Sequence, residues 1–226
     1  MERIAFHLRL EDGQRAAYRD EHESVPDALD WLETTFYWVR ARSAEADGTT
    51  GYDSGEAIRE RVRETIGDLV DEGFVEQVDG DALSPTPLGR LASEFYLRLD
   101  TARRFADLGE RAGDDPLDRT DVLRTVARAG EFDSVNARSD EEDAVGAVLG
   151  SAATALEPGE RKVLAILQSG IDGTTPASLK SDAWVIRQNA QRLLSALRAI
   201  ADRFGGPRAA NLVCRVAARV ETGLGG

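Results

Sequence analysis

The chain has 226 residues, 42% of them hydrophobic, which is enough to bury the core of one large domain or two small ones. No apolar run approaches the length of a membrane span, the start Met1-Glu2-Arg3-Ile4 does not read as a signal peptide, and the single Cys214 excludes an internal disulfide and a cysteine-based zinc site. Acidic residues number 41 against 28 basic ones, for a net charge of −13, and only Lys162 and Lys180 of the basic residues are lysine. An acid-rich, lysine-poor surface is similar to that of proteins from a salt-saturated cytoplasm, where salt screens self-repulsion within about 3 Å at 1 M. Negative charge does not exclude a nucleic-acid partner there, because the counterion-release contribution nearly vanishes for any protein at molar salt.

Residues 1–23 alternate Ile4, Phe6, Leu8 and Leu10 like a strand, although a short helix fits them equally. Residues 25–46 read as one helix, with Pro26 in its first turn and Leu29, Leu32, Phe36 and Val39 along one face. A loop over 47–54 follows, then a helix over 55–72 carrying Ile58, Val62, Ile66, Leu69 and Val70 and ending at Gly73. Phe74–Val78 and Ala82–Ser84 read as a two-stranded wing turning on Asp79-Gly80. Thr86 is placed to cap the next helix, over 87–98, with Pro87 at its first position, where a missing N–H costs nothing.

No strand pattern appears after Asp100. Asp100 and Thr101 are placed to cap a helix running through Leu108, and Gly113-Asp114-Asp115-Pro116 forms a loop. Helices follow at 119–129, 139–154, 158–169, 182–204 and 207–221. Arg138–Asp143 reads as a solvated helix start, and Cys214 as a small buried hydrophobe on the last helix. The fold class is therefore mainly α: a winged-helix domain over residues 1–98 with a small β-hairpin wing, then an all-α bundle over 99–226.

Residues 182–203 are strongly amphipathic. Ile186, Ala190, Leu193, Leu194, Leu197, Ile200 and Ala201 make a core stripe. The opposite stripe holds Trp184, Gln188, Gln191 and Ser195, flanked by Arg187 and Arg198 on one side and Arg192 on the other. An aromatic face there can stack on a base, and glutamine, serine and arginine can bond phosphate, sugar or base edges. Trp184 can instead pack against a neighbouring helix at the edge of the bundle, and helix geometry alone favours that packing.

Catalytic motifs are absent from the sequence. Neither lysine follows a glycine in a phosphate loop, and no Gly-x-Ser-x-Gly elbow or His-Glu-x-x-His pair occurs. His7 and His22 have no cysteine near them, which argues against a transition-metal site. Asp20-Glu21-His22-Glu23 partly matches a helicase Asp-Glu-x-His box but lacks the preceding apolar strand, and reads as a polar turn. No residue is assigned a catalytic role and no cofactor or metal site is expected.

Gly73-Phe74-Val75, the wing, and Leu83-Ser84-Pro85-Thr86-Pro87-Leu88-Gly89-Arg90-Leu91-Ala92-Ser93 resemble the winged-helix segment behind the motor domains of superfamily 2 helicases. The relatives meant are the archaeal fork-repair DNA helicase, the polymerase-theta helicase and the spliceosomal unwindase. Thr34-Thr35-Phe36-Tyr37 resembles that family's preceding helix. Ile186-Arg187-Gln188-Asn189-Ala190-Gln191-Arg192-Leu193-Leu194, with Ala196-Leu197, resembles its ratchet helix, which lies against the translocating single strand, and Leu212–Leu224 resembles the helix after it. The resemblance covers roughly residues 25–224. It implies that Trp184, Arg187, Gln188, Gln191, Arg192 and Ser195 face nucleic acid.

The two motor domains that would bind ATP and Mg are missing from this sequence. The implied function is the non-catalytic C-terminal part of an ATP-dependent DNA helicase of the cytoplasm, engaged in DNA repair. Its implied partners are single-stranded or forked DNA and helicase motor domains in cis or in trans, with no membrane. Two alternatives stand beside it. One is a winged-helix regulator reading duplex DNA with residues 54–69, whose Glu56, Glu60, Glu64 and Asp68 oppose phosphate. The other is a protein-interaction adaptor docking through the acidic bundle.

Overall fold

The structure, a computed structural model, describes residues 23–46, 54–78, 82–150 and 155–222. The segment containing His7, His22 and most of residues 1–23, and the Asp79-Gly80 turn, lie outside the described residues. The described part is mainly helical with one small antiparallel sheet, consistent with a winged helix followed by a helical bundle. Its packing divides into two compact units, Met1–Ser93 and Glu94–Gly226.

The first unit runs β1 (Glu23–Ser24), α1 (Val25–Glu33), α2 (Phe36–Ala46), α3 (Gly55–Asp71), β2 (Val75–Val78), β3 (Ala82–Pro85) and α4 (Pro87–Glu94). The sheet order is β1-β3-β2, with Glu23 opposite Leu83 and Val78 opposite Ala82. The wing therefore gains a third, two-residue strand. Ser24 leaves that strand as the cap of α1, reciprocated by Asp27, whose carboxylate accepts from the Ser24 amide at 2.8 Å.

The helix expected over residues 25–46 is two helices. Thr34 and Thr35 hydroxyls donate to the Trp31 and Leu32 carbonyls, both at 2.7 Å, and the Thr35 hydroxyl then accepts from the Trp38 amide at 3.3 Å. These side chains take over the backbone bonds that would have continued α1. The break resets the helical phase. Leu32 stays in the core, whereas Phe36 is 77% exposed and Val39 is also exposed; Trp38 and Ala41 face inward instead. They pack with Ile58 and Val62 of α3, and the Arg59 guanidinium lies 4.9 Å from the Trp38 ring while pairing with Glu33.

The stretch after the wing folds as its residues predict. The Thr86 hydroxyl accepts from the Gly89 amide at 3.1 Å and donates to the Gly73 carbonyl at 2.7 Å, so α4 is capped and tied to the end of α3 by one side chain. Helix α4 stops at Glu94, short of the expected residue 98.

The second unit runs α5 (Leu99–Asp114), α6 (Arg119–Ala127), a 3-10 turn (Gly130–Phe132), α7 (Glu142–Leu149), α8 (Pro158–Ile171), a second 3-10 turn (Ala177–Leu179) and α9 (Lys180–Thr222). Helix α5 starts one residue before Asp100 and outruns Leu108. Thr101, fully buried, does not cap it; its hydroxyl donates to Glu131 at 2.7 Å and accepts from the Gly130 amide at 2.9 Å. Phe105, Leu123, Ile166, Leu167, Ile171, Leu193, Leu194, Leu197 and Ile200 fill the core.

The two helices expected at 182–204 and 207–221 are the two segments of α9, separated at Gly206, whose φ of 76° and ψ of −177° are non-helical and suit glycine alone. Cys214 is exposed, not buried, because Val213, Val216 and Val220 occupy the core stripe of that second segment. Arg138–Asp143 is a solvated helix start as expected except at Glu141, which is fully buried.

Candidate functional site

Helix α9 begins against a firm anchor. Pro176 leads into the 3-10 turn, whose Leu179 is fully buried, and Ala183, Ile186 and Ala190 then bury every third or fourth side chain. That phase leaves the opposite stripe in solvent. Trp184 is 71% exposed and its neighbour Val185 is also exposed. A large apolar ring left in water at the first turn of a well-packed helix is a surface available to a ligand.

Beside Trp184 opens a cleft of about 760 Å³. Gly170, Gly173, Thr174 and Thr175 form one wall, from the end of α8 and the turn after it. Lys180, Trp184, Arg187, Gln188 and Gln191 of α9 form another, and Val220, Glu221 and Thr222 close it from the segment of α9 that follows Gly206. The Arg187 Nη2 donates to Thr175 Oγ1 at 2.7 Å, and its buried Nε has no acceptor among the described residues. Gln191 Nε2 donates to the Ala217 carbonyl at 3.1 Å, joining the two segments of α9 across the bend. Gln188 is exposed on the cleft face.

Of the six residues singled out by sequence, Trp184, Arg187, Gln188 and Gln191 thus line one cleft. Arg192 and Ser195 do not. The Arg192 guanidinium donates to the Phe95 carbonyl at 2.7 Å and to Asn189 Oδ1 at 3.1 Å, and the Ser195 hydroxyl returns to the Gln191 carbonyl at 3.0 Å. Sequence reasoning missed Thr174, Thr175, Lys180 and Glu221. The signal for Lys180 was available: it is one of two lysines in a chain that otherwise uses arginine.

Chemically the cleft offers an aromatic face, amide and hydroxyl groups, and two cations, Lys180 and Arg187, against one carboxylate, Glu221. This set suits recognition of a flat, polar, anionic ligand rather than bond-making. Among the described residues no group of three or more His, Cys, Asp or Glu could hold a metal ion, and no helix is long and apolar enough to cross a membrane.

The Sec63 Brl domain family matches residues 85–225, from within β3 through α9. The chain is 29% identical over 199 residues to activating signal cointegrator 1 complex subunit 3 of Mus musculus, covering 81% of this chain and 9% of that protein. The subunit of the same name from Danio rerio is 30% identical over 131 residues, covering 54% of this chain and 8% of that protein. DExH-box ATP-dependent RNA helicase DExH12 of Arabidopsis thaliana is 29% identical over 127 residues, covering 54% of this chain and 6% of that protein. The chain therefore spans less than a tenth of the length of these curated relatives. The family match takes in more than half of the chain, including every helix that builds the cleft, and the protein belongs to the Sec63 Brl domain family.

Proposed function

We propose that this chain is the non-catalytic, strand-guiding part of an ATP-dependent DNA helicase, with ATP and Mg bound by motor domains supplied in cis or in trans. The observation that carries the reading is the cleft itself, which an exposed tryptophan lines together with Arg187, Gln188 and Gln191 of α9. A base stacks on the indole while the cations and amides hold phosphate and sugar, a sequence-tolerant grip suited to a moving strand. The favoured ligand is single-stranded or forked DNA. Fork-repair kinship and a haloarchaeal, cytoplasmic setting are supported by the wording of the Ser84–Ser93 and Ile186–Leu194 stretches and by the acidic, lysine-poor composition. A winged-helix domain over residues 1–98 and a ratchet bundle over 99–226 belong to the same proposal.

A duplex-reading α3 is disfavoured. Arg59 is committed to Glu33 and the Trp38 ring, and Arg63 to Glu56 and Glu60, while Glu64 and Asp68 are exposed on the same helix and would oppose phosphate. RNA is the second reading, favoured by the relative named as an RNA helicase.

The test is anisotropy of a labelled oligo-dT and of the matching oligo-rU, titrated with the protein at low and at molar KCl. Trp184→Ala is expected to weaken single-strand binding by roughly ten-fold or more, in line with the known worth of base–aromatic stacking. Parent-like affinity in that variant overturns the strand-guiding site. Tighter binding to oligo-rU moves the assignment to RNA.

A further inference from the structure

Lysine is rare in this chain, and one of its two copies is almost fully enclosed. Lys162 of α8 is 2% exposed. Its ammonium has three N–H donors and three acceptors around it: Glu141 Oε2 at 2.8 Å, Asp182 Oδ2 at 2.5 Å and the Asn136 carbonyl at 3.2 Å. The set is complete, with no donor left over. Glu141 is fully buried and receives a second cation, Arg138, at 2.6 Å. Arg138 reaches on to α9, with its Nη2 3.3 Å from the Ser181 hydroxyl and 3.8 Å from Asp182.

Two consecutive residues of the first turn of α9, Ser181 and Asp182, are thus held from outside the helix. Trp184 follows two residues later. The Lys162–Glu141 pair is enclosed, the Asp182 carboxylate closes the centre from a half-buried position, and a satisfied network of this kind restricts geometry more than it stabilises. Arginine could not replace this ammonium, because its planar fork cannot point three donors at three separately placed oxygens. That explains a lysine here in a chain that uses arginine at nearly every other cationic position.

We propose that Lys162 is the positioning residue of the cleft: by joining Glu141 to Asp182 it fixes the first turn of α9, and so the direction in which Trp184 faces the Gly173–Thr175 wall. It touches no ligand itself. The proposal rests on the strand-guiding reading of the cleft for its functional meaning, and on the ion centre alone for its structural content.

The test uses the full chain labelled with 5-fluorotryptophan, its three indole signals assigned with Trp184→Phe. Lys162→Arg and Asp182→Asn are compared with the parent well below their melting temperatures. Asp182→Asn cuts only the α9 arm and leaves Glu141 paired, so it serves where Lys162→Arg does not fold. Both are expected to shift or broaden the Trp184 fluorine signal while leaving Trp31 and Trp38 in place. Both are also expected to weaken oligo-dT binding about five-fold or more with an unchanged salt slope, whereas Lys180→Ala, on the cleft rim, lowers that slope by about one. An unmoved Trp184 signal in the folded variants overturns the positioning role, as does a lowered melting temperature with parent-like affinity. A shifted Trp184 signal in a protein whose parent form binds no oligonucleotide upholds the positioning and overturns the strand-guiding reading instead.

Discussion

Gly89 and Trp184 mark two ways in which a single residue matters here. A Cβ added at Gly89 would sit 2.0 Å from the Phe74 carbonyl oxygen, which is backbone held in turn by the Thr86 amide at 3.0 Å. Nothing at that contact is the loose end of a side chain, so Gly89→Ala must move α4 away from the end of α3. The expected cost is about 2 kcal/mol or more, read as a lowered urea midpoint for the first unit. An unchanged midpoint would show that α4 has room to shift. Trp184 is the opposite case: most of its ring is in solvent, so its removal leaves stability close to the parent's while binding suffers. Arg192 lies between the two, because its guanidinium already serves the Phe95 carbonyl and Asn189. Sequence alone could not make this distinction, since Arg187 and Arg192 flank the same stripe and differ in the partner each meets, the Thr175 hydroxyl for one and the Phe95 carbonyl with Asn189 for the other.

At the scale of elements, the ion centre that joins α7, α8 and α9 dictates a response to acid. Asp182 is held below its ordinary 3.8 chiefly by the Lys162 ammonium. For Glu141, burial pushes upward, but the Arg138 amide, Lys162 and the Arg138 guanidinium outweigh it and hold the carboxyl below 4.5. A carboxylate whose folded value is depressed contributes stability that is complete above its unfolded value and is lost as pH falls through the folded one. The second unit should therefore lose stability from about pH 4.5 downward. Acid also relieves the chain's negative self-repulsion, which acts the other way, so the comparison with Asp182→Asn isolates the centre. That variant should be less stable at neutral pH and show a flatter decline, measured by urea unfolding followed through helix signal at stepped pH. Parallel declines would mean that Asp182 is not held by Lys162. The same centre shows where element reading fails. Arg138–Asp143 has the composition of a solvated run, and only the arrival of Lys162 from another helix makes Glu141 a core residue. By contrast the core stripe of α9 was legible, because Ile186, Ala190, Leu193, Leu194 and Leu197 encode one face by period alone. The α1–α2 break was not: it depends on threonine hydroxyls competing for carbonyls, which hydrophobic spacing does not register.

Taken as a whole molecule, the chain's charge should make its stability and its binding depend differently on salt. A net charge of −13 on 226 residues repels itself, and that repulsion extends about 10 Å at 0.1 M salt but only about 3 Å at 1 M. Salt also weakens the exposed pairs, such as Arg103 with Asp107 and Glu110 or Arg63 with Glu60, but each of these contributes only about 0–1 kcal/mol. The Lys162–Glu141 pair is buried and is screened far less, while Asp182 and Arg138 at its edge meet solvent. Relief of repulsion therefore outweighs the loss of pairs, and the melting temperature should rise by roughly 5 °C between 0.1 M and 2 M KCl, followed by circular dichroism. Strand binding in the same series should fall by a log–log slope of about 1.4, set by Lys180 and Arg187, and then level off, because stacking on Trp184 releases no counterion. A melting temperature that falls with salt would mean that surface pairs dominate the energetics of this acidic chain. A binding slope several times steeper would place the nucleic acid on an arginine-rich face elsewhere rather than in the cleft.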